Sequence, residues 1–411
     1  MADALLVLGN CSSSAHGADE MSRLAHQAHA RGLHVIGADT AGHIAAASSP
    51  ADEQVILDVY DPHACEAWAQ ANRGRIKAVF TYREMCVESA AVSAAALGLP
   101  GNRPSVIATI RNKDKCRGML AAAGFPQPEF LLVEAMQEVL AFAARTKPPW
   151  IIKPRDGMGS SGIRLARTPD ELVSACVETQ TSGRSVIETF VDGTEYSAEG
   201  IFVDGRPHVL ALTAKQTGTG FIEVSHELPA PMEKETHALC EATIKGALRT
   251  VDLTHGIFHA EFWLTPNGPV MGEIHARPGG DFLHALVEYI RPGLELFGMA
   301  LDDSLGRSAA RIPSASCNAA IRYLMLPPGR VRSVRGWSKA ASHPSVLAAN
   351  LEVGAGDMLS SPQSSADRHG FIAVGVQRRV EPRVLVNELW RQVEIEVEPC
   401  EAGRDELEII S

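Results

Sequence analysis

Residues 257–264 and 269–276 read as an antiparallel hairpin around Thr265-Pro-Asn-Gly-Pro269, and this hairpin carries charge where a core pattern leaves one face free. Phe258, Ala260, Phe262 and Leu264 form the apolar face of its first strand, and Val270, Gly272, Ile274 and Ala276 that of its second. The opposite faces hold His259 and Glu261, then Glu273, His275 and Arg277. Side chains alternate along a strand, so the register decides which charges meet. If Leu264 pairs with Val270, Glu261 stands opposite Glu273 with the Cβ atoms roughly 5 Å apart, where like charges repel. A bound cation relieves that repulsion, and oxygen-only ligands suit Mg²⁺ better than zinc. A four-residue loop instead shifts the register by one and sends the glutamates to opposite faces. A solvated face with both glutamates paired to Arg277 is another alternative. A third is a transition-metal site of His259, Glu261, Glu273 and His275, as a metallohydrolase uses, although no His-Glu-x-x-His helix accompanies it.

A second stretch points to phosphate. Trp150-Ile-Ile-Lys153 reads as a strand ending in lysine, and it runs into a loop, Pro154-Arg-Asp-Gly-Met-Gly-Ser-Ser-Gly162. The backbone N–H groups of Gly157, Gly159, Ser160, Ser161 and Gly162 can approach phosphate oxygens closely, with Lys153 at the base of the loop. The loop lacks the Gly-Lys-Ser/Thr ending of a Walker A motif. The order of loop and lysine is also the reverse of a protein kinase's. Lys113, in Arg111-Asn-Lys-Asp-Lys115, is a second cation, or else part of a solvated helix face. Glu188 and Glu195 bracket Thr-Phe-Val-Asp-Gly-Thr, where a carboxylate can accept from ribose hydroxyls or simply be a surface charge.

The elements that position these groups follow from periodicity. Over the first hundred residues, strands (4–8, 33–37, 76–81) alternate with helices (19–30, 64–71, 85–97), the pattern of a parallel sheet flanked by helices. The turn after the first strand, residues 9–17, lacks the G-x-G-x-x-G spacing of a dinucleotide site. Leu99-Pro-Gly-Asn-Arg-Pro104 is a breaker cluster and the first boundary. Beyond it come one helix over 105–123, strands at 129–133 and 150–153 around a helix at 136–145, and an antiparallel region of strands at 186–190, 195–203 and 207–215. Asp204-Gly205 is a type I′ turn signal between the last two. A helix at 234–250 precedes the charged hairpin. From about residue 312 the chain is β-rich, with turns at 326–329 and 354–356, an exposed loop at 360–365 and a closing helix at 384–393.

Composition narrows the function. The 411 residues suffice for two or three domains, and 45% hydrophobic with 21% charged residues is an ordinary globular balance. A net charge of −11 has the wrong sign for a nucleic-acid binder. No apolar run approaches the length of a membrane span, and the first residues carry no basic n-region, so a cytoplasmic location is expected. The eight cysteines (11, 65, 86, 116, 176, 240, 317 and 400) form no Cys-x-x-Cys pair and read as small buried hydrophobes.

Taken in order, these features resemble the ATP-grasp superfamily of carboxylate–amine ligases. The ordered set is the helix with Lys113, the strand with Lys153, the loop 157–162, Glu188 to Glu195, and the Glu261/Glu273 hairpin ending in Ala276-Arg-Pro-Gly-Gly280. The resemblance implies an α/β and α+β architecture in four parts: a Rossmann-like domain (1–104), a small ATP-grasp subdomain with a glycine-rich lid (105–185), a central subdomain with the metal hairpin (186–310) and a β-rich C-terminal subdomain (311–411). It implies that Lys113 and Lys153 contact ATP phosphates under the loop, and that Glu188, Phe190 and Val191 lie by the adenine. Glu195 would hold the ribose, and Glu261 and Glu273 would ligate Mg²⁺, for which Mn²⁺ can substitute. Arg277 would face the acyl phosphate, making it and Lys153 the catalytic residues. Where many members carry a metal-binding asparagine, this chain has His275. The combination Glu-Phe-Trp-Leu264 with Glu273-Ile-His-Ala-Arg-Pro-Gly-Gly280 is similar to the L-amino-acid α-ligase branch, as is Phe221-Ile-Glu-Val-Ser-His-Glu-Leu-Pro229.

That branch joins a small-molecule carboxylate to an amine, both expected to be amino acids, through an acyl phosphate. Substrate contacts are expected from Glu84, His226, His275, Arg277, Gly279 and Gly280. The superfamily's alternatives are a bicarbonate- or formate-activating enzyme of metabolite synthesis and a non-catalytic ATP-binding module. No nucleic-acid or membrane partner is expected, and a homodimer is the default assembly.

Overall fold

The structure, a computed structural model, describes residues 3–180, 184–308 and 311–399. Its N-terminal unit is a parallel sheet in the order Glu53–Ile56, His34–Asp39, Ala4–Leu8, Ile76–Phe80. Every residue of Ala4–Leu8 is fully buried, as a parallel strand covered by helices on both faces must be. The helix expected at 19–30 runs over Ala15–His29. Two elements escaped the sequence pattern because they are short, the helix Ala41–Ala46 and the edge strand Glu53–Ile56.

The single helix expected over 105–123 is two helices, Pro104–Arg111 and Lys113–Ala122. Asn112 breaks them with extended backbone (φ −96°, ψ 101°), and its side-chain amide donates to the Ala108 carbonyl at 2.5 Å. An asparagine side chain offering the backbone an alternative hydrogen bond is a common helix stop. The break has a functional effect, since it makes Lys113 the first residue of the second helix.

A four-stranded antiparallel sheet follows, ordered Phe130–Leu132, Ser185–Thr189, Trp150–Pro154, Arg164–Ala166. Its core is closed by Val139 and Phe142 of the helix Met136–Arg145 and by Leu172 and Cys176 of Pro169–Gln180. The strand Ser185–Thr189 spans the boundary expected at 185/186.

The largest sheet has eight strands, in the order Gly268–His275, Ile257–Thr265, Thr194–Val203, Arg206–Thr217, Glu223–Leu228, Cys317–Tyr323, Gly370–Gln377, Val346–Leu351. The last three strands belong to the C-terminal region, so the sheet runs through the boundary expected at 310/311. A small sheet of Met358–Leu359, Gly329–Arg335 and Glu394–Glu398 flanks it. Asp204 and Gly205 both take positive φ (50° and 70°), as a type I′ turn requires. Six cysteines are buried and Cys317 is half-buried; Cys400 lies outside the described residues. Among the described residues no helix is long and apolar enough to cross a membrane.

Candidate active site

The hairpin's observed register is neither of the two simple ones. At the turn Leu264 pairs with Pro269 and Trp263 with Val270, so the expected pairing of Leu264 with Val270 does not form. A β-bulge between Ala260 and Phe262 then restores the offset, and beyond it Ala260 pairs with Ile274 and His259 with His275. Two residues, Gly272 and Glu273, thus oppose Glu261. The bulge undoes the shift that would have separated the glutamates, and it moves Met271 rather than Val270 into the core, where Met271 is 1% exposed. Glycine eases the bulge: a Cβ on residue 272 would lie 3.0 Å from the Glu261 carbonyl oxygen.

The neighbouring strands extend this polar face. Glu261 pairs with Ser197, Trp263 with Glu195 and His259 with Glu199, and directly paired residues share a face. Here the sheet meets the glycine loop across a cavity of about 460 Å³. Most of the expected site residues line this one cavity. They include Lys113, Lys153, Gly157, Gly159, Ser160 and Ser161 from the loop side; Glu188, Phe190, Val191 and Glu195; and Glu261, Glu273, His275, Arg277, His226 and Gly280 from the sheet side and beyond.

Three lysines cross-link the carboxylates. Lys113 Nζ lies 3.3 Å from Glu273 and donates to the Gly157 carbonyl at 2.7 Å, and Lys153 Nζ lies 3.1 Å from Glu273 and 3.2 Å from Glu188. Burial alone raises the Glu273 carboxyl, but the ammonium groups of Lys113 and Lys153 bring it down to about 2. Lys215, missed in the sequence, sits at 2.8 Å from Glu195, 3.0 Å from Glu223 and 2.8 Å from Glu261. Burial lowers its ammonium, yet these three carboxylates raise it well above its ordinary value. His259 donates or accepts through Nδ1 at 2.8 Å from Glu199 and Nε2 at 3.2 Å from Glu261; burial lowers it, and the Glu199 carboxylate pushes it up to about 9.

Glu84, Gly162 and Gly279 are the expected residues that do not line the cavity, while Glu188 and His226 line it with their side chains already paired. Glu188 is buried and takes a bidentate pair from Arg117 at 2.5 and 2.8 Å, so its carboxylate is held beside Lys153. Glu84 does not line the cavity but lies behind it, accepting from Arg277 Nε at 2.6 Å and Arg111 at 3.0 Å, with His275 Nδ1 at 2.9 Å. Burial raises its carboxyl, but the charges of His275 and Arg277 hold it well below the carboxylate range. Glu84 is therefore an anchor for Arg277. Gly279 is a close-approach residue, where a Cβ would lie 2.8 Å from both the Glu199 carboxylate and the His259 ring. Gly162 closes the loop at φ +74°. His226 places Nε2 2.8 Å from Asp281.

The metal alternatives separate here. Glu261, Glu273 and His275 offer ligand atoms all within 4.8 Å of one another, and among the described residues His259 is not part of that group. Of the four residues of the transition-metal set, three come together, and His259 stands beside them with Nδ1 on Glu199 and Nε2 3.2 Å from Glu261. The two carboxylates of Glu261 and Glu273 are the oxygen donors that a hard divalent cation such as Mg²⁺ takes, and the His275 imidazole stands beside them. Lys215 had a local signal that went unused, a strand ending in lysine, as in the strand that carries Lys153. Glu223, within the segment 221–229 that resembles the L-amino-acid ligase branch, lines the cavity too, as do Asp281 and Ser365.

This arrangement of lid, paired sheets and carboxylate hairpin is the ATP-grasp fold, and residues 146–285 match the family model described as the ATP-grasp domain. The C-terminal region is the more specific part: residues 322–398 match the L-amino acid ligase C-terminal domain 2. The chain thus matches an ATP-grasp domain model and, C-terminal to it, an L-amino acid ligase C-terminal domain model. The crystal structure of L-amino acid ligase from Bacillus licheniformis superimposes with a TM-score of 0.81 at 22% identity, covering 97% of this chain and all of that one. Among curated sequences, Uncharacterized protein y4rH of Sinorhizobium fredii is 27% identical over 311 residues, 73% of this chain and 64% of its own length. The D-alanine--D-alanine ligase of Corynebacterium efficiens is 26% identical over 200 residues, 44% of this chain and 55% of its own. The chain therefore spans less than two thirds of the length of either relative.

Proposed function

We propose that this protein is an ATP-dependent carboxylate–amine ligase that joins two amino acids, or an amino acid and a small acid, through an acyl phosphate. One observation carries the reading: a single cavity holds the lysine-and-glycine-loop end, the Glu261/Glu273 pair and Arg277. The names of similar proteins, an L-amino acid ligase and a D-alanine--D-alanine ligase, support the substrate class. The match of the C-terminal region to an L-amino acid ligase domain supports it as well.

Each group has work to do in such a reaction. Lys113 and Lys153 neutralise the terminal phosphates of ATP, and the loop 157–162 covers them. Phe190 and Val191 flank the adenine and Glu195 accepts from the ribose. Glu261 and Glu273 would hold Mg²⁺, which supplies charge neutralisation at the transferring phosphoryl group. The substrate carboxylate attacks the γ-phosphorus, releasing ADP, and the amine then displaces phosphate from the acyl carbon. Arg277, its Nε fixed by Glu84 and Nη1 by the Pro278 carbonyl at 2.7 Å, is oriented to stabilise the oxyanion of that second step. The lid excludes water, which otherwise hydrolyses the acyl phosphate. Its Ser160 Oγ donates to the Phe221 carbonyl at 2.9 Å across the cavity mouth.

The test is a phosphate-release screen of amino-acid pairs with ATP and Mg²⁺, followed by mass analysis of the products. The expected result is ADP, phosphate and a product of the summed amino-acid masses less water. Nucleotide binding with no ADP formed from any pair would sink the ligase reading, and turnover that requires bicarbonate would replace it with a carboxylating one.

A further inference from the structure

Arg368 lies outside the ATP-grasp match, on the turn before the strand Gly370–Gln377, yet its side chain is buried to 8% exposure. It donates to both oxygens of Asp281 at 2.8 and 2.5 Å, to the Glu223 carbonyl at 3.1 Å and to the Ser365 carbonyl at 2.7 Å. The guanidinium carbon stands 3.5 Å from the centroid of the Tyr323 ring. A planar fork held by four hydrogen bonds and stacked on an aromatic face holds one geometry, which a lysine could not reproduce.

What Arg368 holds is part of the cavity. Asp281 lines it, and it is also bonded to His226 Nε2 at 2.8 Å. Asp281 and Phe282 take left-handed backbone (φ 57° and 61°) directly after Gly280, a conformation that costs a non-glycine residue energy and persists only where surrounding contacts impose it. Glu223 lines the same cavity with its carboxylate held by Lys215 at 3.0 Å, so without the arginine it is the Asp281 carboxylate that would face an incoming acid. The same turn also reaches the lid. Ser365 Oγ donates to Glu223 at 2.8 Å, and the Ser365 N–H donates to the carbonyl of Gly159 at 3.3 Å.

We propose that Arg368 is a positioning residue for the amino-acid end of the cavity: it neutralises and orients Asp281, and through Ser365 it ties the glycine lid to that end. The C-terminal region thereby takes part in substrate selection. The substrate half of this inference rests on the ligase reading, whereas the lid half requires only that the cavity takes a nucleotide.

The experiment compares the full-length protein with R368Q, D281N and R368Q/D281N. Orphaning one member of a buried hydrogen-bonded charge pair weakens binding by about thirtyfold or more. R368Q is therefore expected to raise the KM for the amino acids by that factor while the KM for ATP moves less than about twofold. Removing the orphaned charge as well, in R368Q/D281N, is expected to return the amino-acid KM to within about threefold of the parent. Equal rises in both KM values, with no recovery in the double variant, would overturn the proposal as a merely structural effect. If no amino-acid pair gives turnover, the ligase reading fails, and the lid is tested by itself with Mg²⁺ and the non-hydrolysable analogue AMP-PNP. Trypsin cleavage after Arg155 and Arg164, which flank the glycine loop, should then be suppressed in the parent and persist in R368Q. Identical cleavage in the two proteins overturns the lid role.

Discussion

Replacing Gly272 with alanine tests whether the β-bulge creates the carboxylate pair. The added Cβ would lie 3.0 Å from the Glu261 carbonyl oxygen, 3.2 Å from its carbon and 3.3 Å from its Cβ. These are mainly backbone atoms of the pair at the edge of the sheet, so relief requires the two strands to part by a few tenths of an ångström at the residue that would ligate the metal. Overpacking of this kind costs about 1–3 kcal/mol, of which about 0.4–1 kcal/mol is offset by the reduced freedom of the unfolded chain. The net destabilisation lowers the melting temperature by about 1 °C per kcal/mol in a chain of this size. The larger effect is on the site: because a 1 Å misplacement can cost about a hundredfold, a shift of a few tenths should raise the Mg²⁺ concentration for half-maximal ADP release by about threefold to tenfold. Gly118→Ala is the control. It lies in the helix Lys113–Ala122, where a Cβ meets nothing nearer than 3.9 Å, and helix propensity predicts a gain of about 0.5–1 kcal/mol. Parent-like Mg²⁺ dependence and turnover in G272A, together with a lowered melting temperature, would show that the bulge serves stability alone and would refute the reasoning.

Three further outcomes follow from the same contacts. Lys153→Ala should cut ADP release by about a hundredfold or more, with the circular dichroism spectrum retained because Arg117 still pairs Glu188 and Lys113 still pairs Glu273; full activity would remove Lys153 from the phosphate site. Arg117→Met should cost about 3 kcal/mol in urea unfolding by leaving the buried Glu188 carboxylate with Lys153 but without its bidentate partner, and Arg117→Met/Glu188→Leu should recover most of it; additive losses would mean the pair is not what Arg117 contributes. Glu84 and Glu188 have folded values below their ordinary 4.5. For a depressed carboxyl the linked stability is present above about pH 4.5 and is lost as pH falls toward the folded value. Glu84→Gln should therefore flatten the dependence of unfolding free energy on pH below about 4.5, and an unchanged slope would argue that Glu84 is not ionised against Arg277 and His275.

Much of this site was legible because its parts are local. The alternation over 257–276 marked one face for a core and one for chemistry, and the strand ending in Lys153 marked the base of the loop. The type I′ signal at Asp204-Gly205 located a turn that the structure forms. Reading stopped where backbone regularity stopped. The break at Asn112 left no mark in the apolar periodicity of 105–123, yet it starts a helix at Lys113, whose N–H bonds the Arg155 carbonyl at 3.3 Å and whose side chain meets the loop. The exposed loop expected at 360–365 likewise ends in Ser365, which docks on Glu223. Arg368 and Asp281 are 87 residues apart, and only the sheet order that makes the C-terminal strands continuous with the central ones brings them together.

The two bulges show why register could not be read from alternation alone. In the strand pair Thr194–Val203 and Arg206–Thr217, Arg206 faces Val203 and Val209 faces Gly200, an offset that if continued would put Lys215 opposite Thr194. A shift between Val209 and Ala211 moves the pairing by one, so that Ala214 faces Tyr196 and the next residue, Lys215, comes level with Glu195. One strand further across, the bulge at Gly272 does the same for Glu261 and Glu273. Each irregularity flips the side chains beyond it to the other face, and in both cases the flipped set contains a charged group that lines the cavity, Lys215 in one and Glu273 in the other. Without the first bulge Lys215 would point away from Glu195 and Glu261; without the second, Glu273 would leave Lys113 and Lys153. A sequence carries no alternation signal for an inserted residue, only a glycine that accepts close approach, as at 272. The positions where the pattern fails are thus the positions that assemble the charges, and the site depends on two departures from regular pairing placed in neighbouring strand pairs of one sheet.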